Sequence, residues 1–191
     1  MRAFVFKNRG LLLSLPAAVL AKFGRPSAAS VALGLPIAIA GELVRCWAVG
    51  YSGVTTRGDV VEAPELVTAG PYAYVRNPLY VGNFITAAGF AIAFTGKNRS
   101  IARLALTGGS LAAMAAVYAT IVPHEEAFLR SQFGAAFDEY CDRVPPVVPS
   151  LTPIDDGAGE WKPDVVRTAE SKTFATFAAM LALLIIKARR E

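Results

Sequence analysis

Histidine occurs once in 191 residues and cysteine twice. That leaves too few ligands for a dedicated zinc site, so no metal is expected. Cys46 and Cys141 stand far apart and form no C-x-x-C pair, so no disulfide framework is expected either. Charge is scarce as well, at 18% against about 25% in an average soluble domain. No glycine-rich strand-to-helix fingerprint of a Rossmann domain is present. The excess of Lys and Arg, 19 against 15 acids, forms no basic stripe interleaved with aromatics. Nucleic acid is therefore not expected as a partner.

What the chain has instead is apolar length. Hydrophobic residues make up 54%, much of it in runs near the ~20 residues that span a bilayer. A soluble helical core is the alternative; the basic residues beside the apolar runs favour membrane flanks. The fold class expected is all-α: a polytopic integral membrane protein with about five transmembrane helices and an interfacial amphipathic helix. Residues 1–50 would carry the N-terminal spans, and 51–191 a core with a C-terminal helix.

The first helix follows a basic start (Arg2, Lys7, Arg9) and covers Leu11 to Phe23, with Pro16 placed to kink it. That start resembles a signal peptide, but no small-residue cleavage site follows, so a retained helix is expected. Ser27 is placed to cap a second span, Ala28 to Gly50, in which Glu42 and Arg45 share a face, either as an internal ion pair near the membrane edge or in a functional role. Alternation over Val54 to Val61 suggests a short hairpin-like excursion. The third and fourth spans are Pro78 to Phe94 and Ile101 to Val122. The fourth carries Gly108, Gly109, Ala112, Ala113 and Ala116, read as a helix-packing face. From His124 to Tyr140 the pattern becomes amphipathic, with Gly134 as an interruption. A proline-rich stretch and an exposed acidic loop, Asp155 to Trp161, lead to a short last apolar run, Phe174 to Ile186. If the third and fourth spans form a hairpin, Tyr51–Asn77 and Pro123–Lys172 emerge on one side of the bilayer. The basic residues do not fix which side.

The densest chemistry lies in Gly70 to Gly82, G-P-Y-A-Y-V-R-N-P-L-Y-V-G. So many polar groups at a membrane boundary are costly unless they bind something. Tyr72, Tyr74 and Tyr80 offer ring faces to a cation, and Arg76 a forked contact to a carboxylate. Glu125 or Glu126 could take an ammonium or hydroxyls. The plainer readings are an aromatic interfacial belt, a lipid-phosphate contact for Arg76 and an ordinary helix start at Pro123.

With P-H-E-E-A-F-L and F-G-A-A-F-D-E-Y-C-D-R-V-P further on, this segment resembles the isoprenylcysteine carboxyl methyltransferase family, related to the membrane phospholipid methyltransferases. The resemblance covers roughly Arg45 to Pro149. It implies a membrane methyltransferase using S-adenosylmethionine, its active-site loops facing the cytoplasm. Its acceptor would be a lipid or prenylated molecule, with carboxyl O-methylation favoured over N- or C-methylation. Catalysis would rest on Arg76, Asn77 and Glu126. Cofactor binding would involve Tyr72, Tyr74, Val75, Arg76, Asn77, Tyr80, Gly82, His124, Glu125, Glu126 and Tyr140, and the acceptor would meet Arg45, Trp47 and Arg143. Two positions depart from the family pattern: Asn77 stands where His is usual, and Pro146 where Arg is usual. Asn77 keeps a hydrogen-bonding amide but cannot act as a base. A sterol-reductase-type enzyme using a nicotinamide cofactor, and a non-catalytic protein keeping the pocket, are the alternatives.

Overall fold

The computed structural model describes residues 8–53 and 63–190; the excursion expected over Val54 to Val61 lies outside them. Among the described residues there are seven α-helices and no strand. They are α1 (Arg9–Phe23), α2 (Ala28–Ser52), α3 (Pro78–Phe94), α4 (Ser100–Phe133), α5 (Ala135–Arg143), α6 (Pro163–Ala169) and α7 (Ser171–Arg190). A 3-10 turn, Gly70–Ala73, precedes α3.

Three helices, α2, α4 and α7, are long and apolar enough to cross a membrane. The chain is a membrane protein. α3 is apolar but has 17 residues, and α1 has 15. The last apolar run, short by sequence, is embedded in a helix of 20 residues.

α2 starts where Ser27 and Ser30 exchange capping hydrogen bonds, and the Ser30 hydroxyl also reaches the Ala93 carbonyl at 2.9 Å. It therefore begins against the far end of α3, and the two helices pack along their whole length. Glycine makes that approach possible. A Cβ on Gly41 would strike the Thr86 backbone nitrogen, and one on Gly34 the Gly89 carbonyl. From the other side, a Cβ on Gly82 would sit 2.9 Å from the Gly41 carbonyl. Ala38, Ala93 and Phe94 close the seam at zero exposure. The small-residue face read as a packing surface lies elsewhere and meets no other element among the described residues: a Cβ on Gly108 or Gly109 would meet nothing within 4 Å, and Ala112, Ala113 and Ala116 are exposed. Small side chains permit close approach but do not by themselves supply a partner.

α4 also departs from the expected pattern. The fourth span and the amphipathic segment are one helix of 34 residues running through Pro123. At 1.5 Å per residue it is about 51 Å long, well beyond a hydrocarbon core of ~30 Å. It is therefore longer than the apolar layer it would cross, and Glu125 and Glu126 lie toward its C-terminal end. Gly134, at φ +54°, ends it and lets α5 fold back.

The two faces of the bundle are distinct. On one, Asn98 binds Arg25 and Phe23, while Lys187 of α7 donates to the Ala21 and Lys22 carbonyls at 2.8 and 3.1 Å. A lysine on carbonyls at the end of α1 is favourable C-terminal chemistry. On the other face the polar segments gather on one side, as the hairpin of α3 and α4 requires. The stretch after α5 runs back along 68–76: Arg76 donates its backbone N–H to Pro145, Ser150 to Tyr74, Ile154 to Ala73, and Thr68 and Ala69 to Ala158. Lys162 then donates to the Gly50 carbonyl, and Trp161 lies against Gly50. Asp155 to Trp161 is therefore a strap across the polar face.

Candidate functional site

Asn77 is the residue before α3, with Pro78 at the first helical position. Asn is a preferred capping residue, yet its side chain makes no cap bond here. It turns away and donates to the Pro146 carbonyl at 3.0 Å and to Glu126 Oε1 at 3.4 Å. Arg76 beside it donates Nε to the same Oε1 at 3.0 Å, and Nη1 to the Cys141 and Val144 carbonyls at 2.9 and 2.8 Å. Those carbonyls end α5, whose last turn lacks helical partners and attracts a cation. Arg76 therefore joins the segment before α3 to both α4 and α5.

One turn into α3, the Tyr80 hydroxyl donates to Glu125 Oε2 at 2.8 Å. Adjacent acids on α4 thus meet adjacent turns of the motif. Tyr80 also stacks on Tyr118, with ring centroids 4.4 Å apart. Tyr140 of α5 folds over from the side and donates its hydroxyl to the Tyr72 carbonyl at 2.7 Å. Burial pushes the Tyr72 phenol up to about 12 and raises Tyr140 as well, so both remain protonated donors at neutral pH.

Removing the Tyr140 hydroxyl tests this closure. Tyr140→Phe is expected to cost roughly 1 kcal/mol, a fall in melting temperature of about 2–4 °C for a chain of this size. Thermal unfolding in detergent measures it, and an unchanged melt would show that α5 is held by its apolar face and Arg76 alone.

The structure brings Arg76, Asn77, Tyr80, Glu125 and Glu126 into one connected group, with Tyr72 and Tyr140 beside it. The remaining candidates sit elsewhere. Val75 is core, at 3% exposure, and Gly82 lies in the α2–α3 seam. Tyr74 packs its ring on Trp47, 6.2 Å between centroids. His124 is exposed on α4, while the two glutamates that follow it are half-buried. Arg143 makes an exposed pair with Asp156, at 2.9 and 2.6 Å, which holds that carboxyl below its usual range. Such a pair contributes little, because solvent screens it.

Arg45 is buried within the bundle. Its guanidinium donates to both carboxylate oxygens of Glu170, at 2.8 and 3.0 Å, and to Asn83. The partner expected from spacing was Glu42; the forked bond goes to Glu170, a fully buried acid between α6 and α7. Asn83 in turn donates to the Tyr118 hydroxyl at 2.7 Å. A continuous set of polar side chains therefore runs from Glu170 through Arg45, Asn83 and Tyr118 to the ring of Tyr80. The sequence reading passed over Glu170, Asn83 and Tyr118, although a polar residue inside an apolar span is itself a signal.

No bonded protein partner occupies four of the groups here: among the described residues, Arg76 Nη2 makes no hydrogen bond, nor do Asn77 Oδ1, Glu125 Oε1 and Glu126 Oε2. A guanidinium edge beside two half-satisfied carboxylates and several aromatic faces suits a ligand with both an anionic and a cationic group.

The sequence comparisons point the same way. The chain is 37% identical over 91 residues to the nickel-cobalt-cadmium resistance protein NccN of Alcaligenes xylosoxydans xylosoxydans, covering 48% of this chain and 39% of that one. It is 38% identical over 96 residues to the cobalt-zinc-cadmium resistance protein CzcN of Cupriavidus metallidurans, covering 50% and 40%. With protein-S-isoprenylcysteine O-methyltransferase B of Arabidopsis thaliana it shares 30% over 122 residues, covering 61% and 57%. The chain thus spans roughly two-fifths to three-fifths of the length of these relatives. No solved structure matches it. A sequence profile of the phospholipid methyltransferase family matches residues 29–136, which hold the α2–α3 seam, the Arg76-Asn77 corner and both glutamates of α4. With more than half its length matched, this chain belongs to the phospholipid methyltransferase family.

Proposed function

We propose that the protein is an integral membrane methyltransferase that takes its methyl from S-adenosylmethionine and passes it to a lipid-like or amphiphilic acceptor. The observation that carries this is the junction of Arg76, Asn77 and Glu126, which lie up to 50 residues apart in sequence and meet at the polar end of the bundle. Bound there, S-adenosylmethionine would supply an electrophilic methyl group on a sulfonium centre.

The residues present fit that donor. Arg76 Nη2 is placed to hold its carboxylate, while Glu126 Oε2 and Glu125 Oε1 suit its ammonium and ribose hydroxyls. The tyrosine rings offer negative faces to a cation. Methyl transfer is an in-line displacement that depends on alignment and exclusion of water more than on a strong acid or base. Asn77 therefore serves by orienting Glu126, and its lack of a titratable proton is no obstacle. The strap and α5 would shield the reacting centre.

The acceptor is an amine or a carboxylate on an apolar body, with carboxyl O-methylation favoured by family likeness, as in prenylated acceptors. Within this reading 51–191 form the catalytic core, α1 and α3 complete five spans, and the polar face lies in the cytoplasm. Calorimetry with the full chain in detergent tests the reading. S-adenosylmethionine and S-adenosylhomocysteine are expected to bind and reduced nicotinamide cofactors not to. Binding of the nicotinamide alone would overturn it.

A further inference from the structure

One apolar surface lies outside the helices. From Val144 to Ile154, V-P-P-V-V-P-S-L-T-P-I, the chain carries no charge, although Arg143 and Asp155 bound it. Only its ends turn inward, where Val144 and Ile154 pack with Phe137 and Tyr140. Between them Val148 is 76% exposed and Leu151 100%, and Pro146, Val147, Pro149 and Pro153 are exposed as well. The loop is nevertheless fixed in place. Its Pro145 carbonyl accepts from the Arg76 backbone and its Pro146 carbonyl from the Asn77 amide, while Ser150 and Ile154 donate their N–H groups to Tyr74 and Ala73. Those neighbours set its level. Tyr74 packs its ring on Trp47, near the end of α2. Trp47 is half-exposed, and Leu43 and Ile39, one and two turns back, are exposed with it. Since α2 is long and apolar enough to cross a membrane, this stripe is the outer face of a span, and the loop adjoins its tryptophan end. Trp161, half-exposed against Gly50, stands at the same end. Tryptophans at the end of a span mark the headgroup level.

We infer that the loop from Pro145 to Pro153 inserts Val147, Val148 and Leu151 into the headgroup–acyl boundary of the bilayer, as a fixed lipid-anchored edge beside the Arg76–Glu126 corner. Three observations select lipid as the occupant. The loop has no charge to desolvate. It has few backbone donors to desolvate either: four of the ten residues from Pro145 to Ile154 are proline, which lacks an N–H, and two more donors are bonded to Tyr74 and Ala73. Irregular backbone does not enter the hydrocarbon itself, so insertion is shallow, where headgroup water still serves the remaining N–H groups. The third observation is continuity, since the loop joins the outer stripe of α2 through Tyr74 and Trp47. A protein docking here would find only Ser150 and Thr152 as hydrogen-bonding side chains, and the Ser150 hydroxyl already donates to the Thr152 carbonyl at 2.6 Å. Lipid needs no such groups. Because Arg76 and Asn77 donate to this loop, insertion would fix the corner at headgroup depth. What that depth means for an amphiphilic acceptor rests on the reading above; the insertion itself does not.

Fluorescent labels on single cysteines test it, in the full chain carrying Cys46→Ser and Cys141→Ser, in phosphatidylcholine nanodiscs. Val148→Cys and Leu151→Cys each take a nitrobenzoxadiazole label, and Glu160→Cys, exposed in the strap, is the control. A lipid with its nitroxide near the ester linkage is expected to quench the labels at 148 and 151 about threefold more than the label at 160, and aqueous iodide to do the reverse. A nitroxide at the end of the acyl chain should quench them less than the shallow one does. Iodide quenching at 151 equal to that at 160 would overturn the inference and leave the loop in water. Shielding from both quenchers would overturn it in favour of a protein surface, another copy of this chain included. Should the serine replacements unfold the chain, Leu151→Trp on the wild-type background decides. Brominated phosphatidylcholine is expected to quench the emission that the substitution adds, and emission untouched by bromine would overturn the inference. S-adenosylmethionine binding by the wild-type chain reports separately on the methyl-donor reading.

Discussion

Glu126→Ala is expected to lower S-adenosylmethionine affinity by about a hundredfold, and Arg76→Ala by at least as much. Glu126 Oε1 is the single atom on which Arg76 Nε and Asn77 Nδ2 converge. Deleting it removes two bonds to a charged acceptor, each worth roughly 1.5–3 kcal/mol. It also leaves a guanidinium at 13% exposure held only by carbonyls. Glu126→Gln separates the two roles of the carboxylate. It keeps an acceptor for Arg76 and Asn77 but loses the negative charge that an ammonium would meet. A loss near tenfold in Glu126→Gln, with the larger loss in Glu126→Ala, is the expected order. Arg143→Ala is the control, since its pair with Asp156 is exposed, and affinity should stay within twofold. Calorimetric titration of the wild type and the four variants makes the comparison. Losses under threefold in both alanine variants would show that the corner is only a structural clamp on α5.

Much of this corner was legible in the sequence, for a physical reason. Arg, Asn and three tyrosines at the edge of an apolar run cannot be left to lipid, so their presence announces either a ligand or a partner. Ser27 and Gly134 were legible as a cap and a break because each acts through its own backbone. The hairpin of α3 and α4 then put the two polar segments on one face. What local pattern could not supply was the partner of each group. Spacing offered Glu42 to Arg45, since both lie on one turn-face of α2. The fold supplies Glu170, 125 residues away, because α6 returns along the strap to the end of α2. Pro123 read as a start because proline lacks an N–H; it is exposed on α4, which continues through it. Arg143 read as a site residue from its place in a motif, while its side chain points to the strap.

The seam between α2 and α3 makes the sharper case, because the same substitution has opposite outcomes at two glycines. Gly41→Leu is expected to lower the melting temperature by roughly 10 °C, and Gly108→Leu to leave it unchanged or raise it. At Gly41 the obstacles are the Thr86 backbone nitrogen, the Thr86 hydroxyl and the Gly82 carbonyl, the last at 2.7 Å. Two of these are backbone in a helix that is itself packed, so the strain cannot be relieved by a rotamer. Overpacking of a seam costs about 1–3 kcal/mol, and the upper end applies where backbone must move; at roughly 2–4 °C per kcal/mol the shift follows. The seam also positions the site, since α3 carries Tyr80 and follows directly on Asn77. Gly41→Leu should therefore weaken ligand binding at the corner as well as stability. At Gly108 a Cβ meets nothing within 4 Å, and leucine improves on glycine in a helix by close to 1 kcal/mol. Thermal unfolding of both variants in detergent, with size-exclusion profiles alongside, gives the comparison. A comparable loss at Gly108 would mean that its face is buried against a second molecule, and a profile shifted to lower mass would identify that molecule as another copy of this chain.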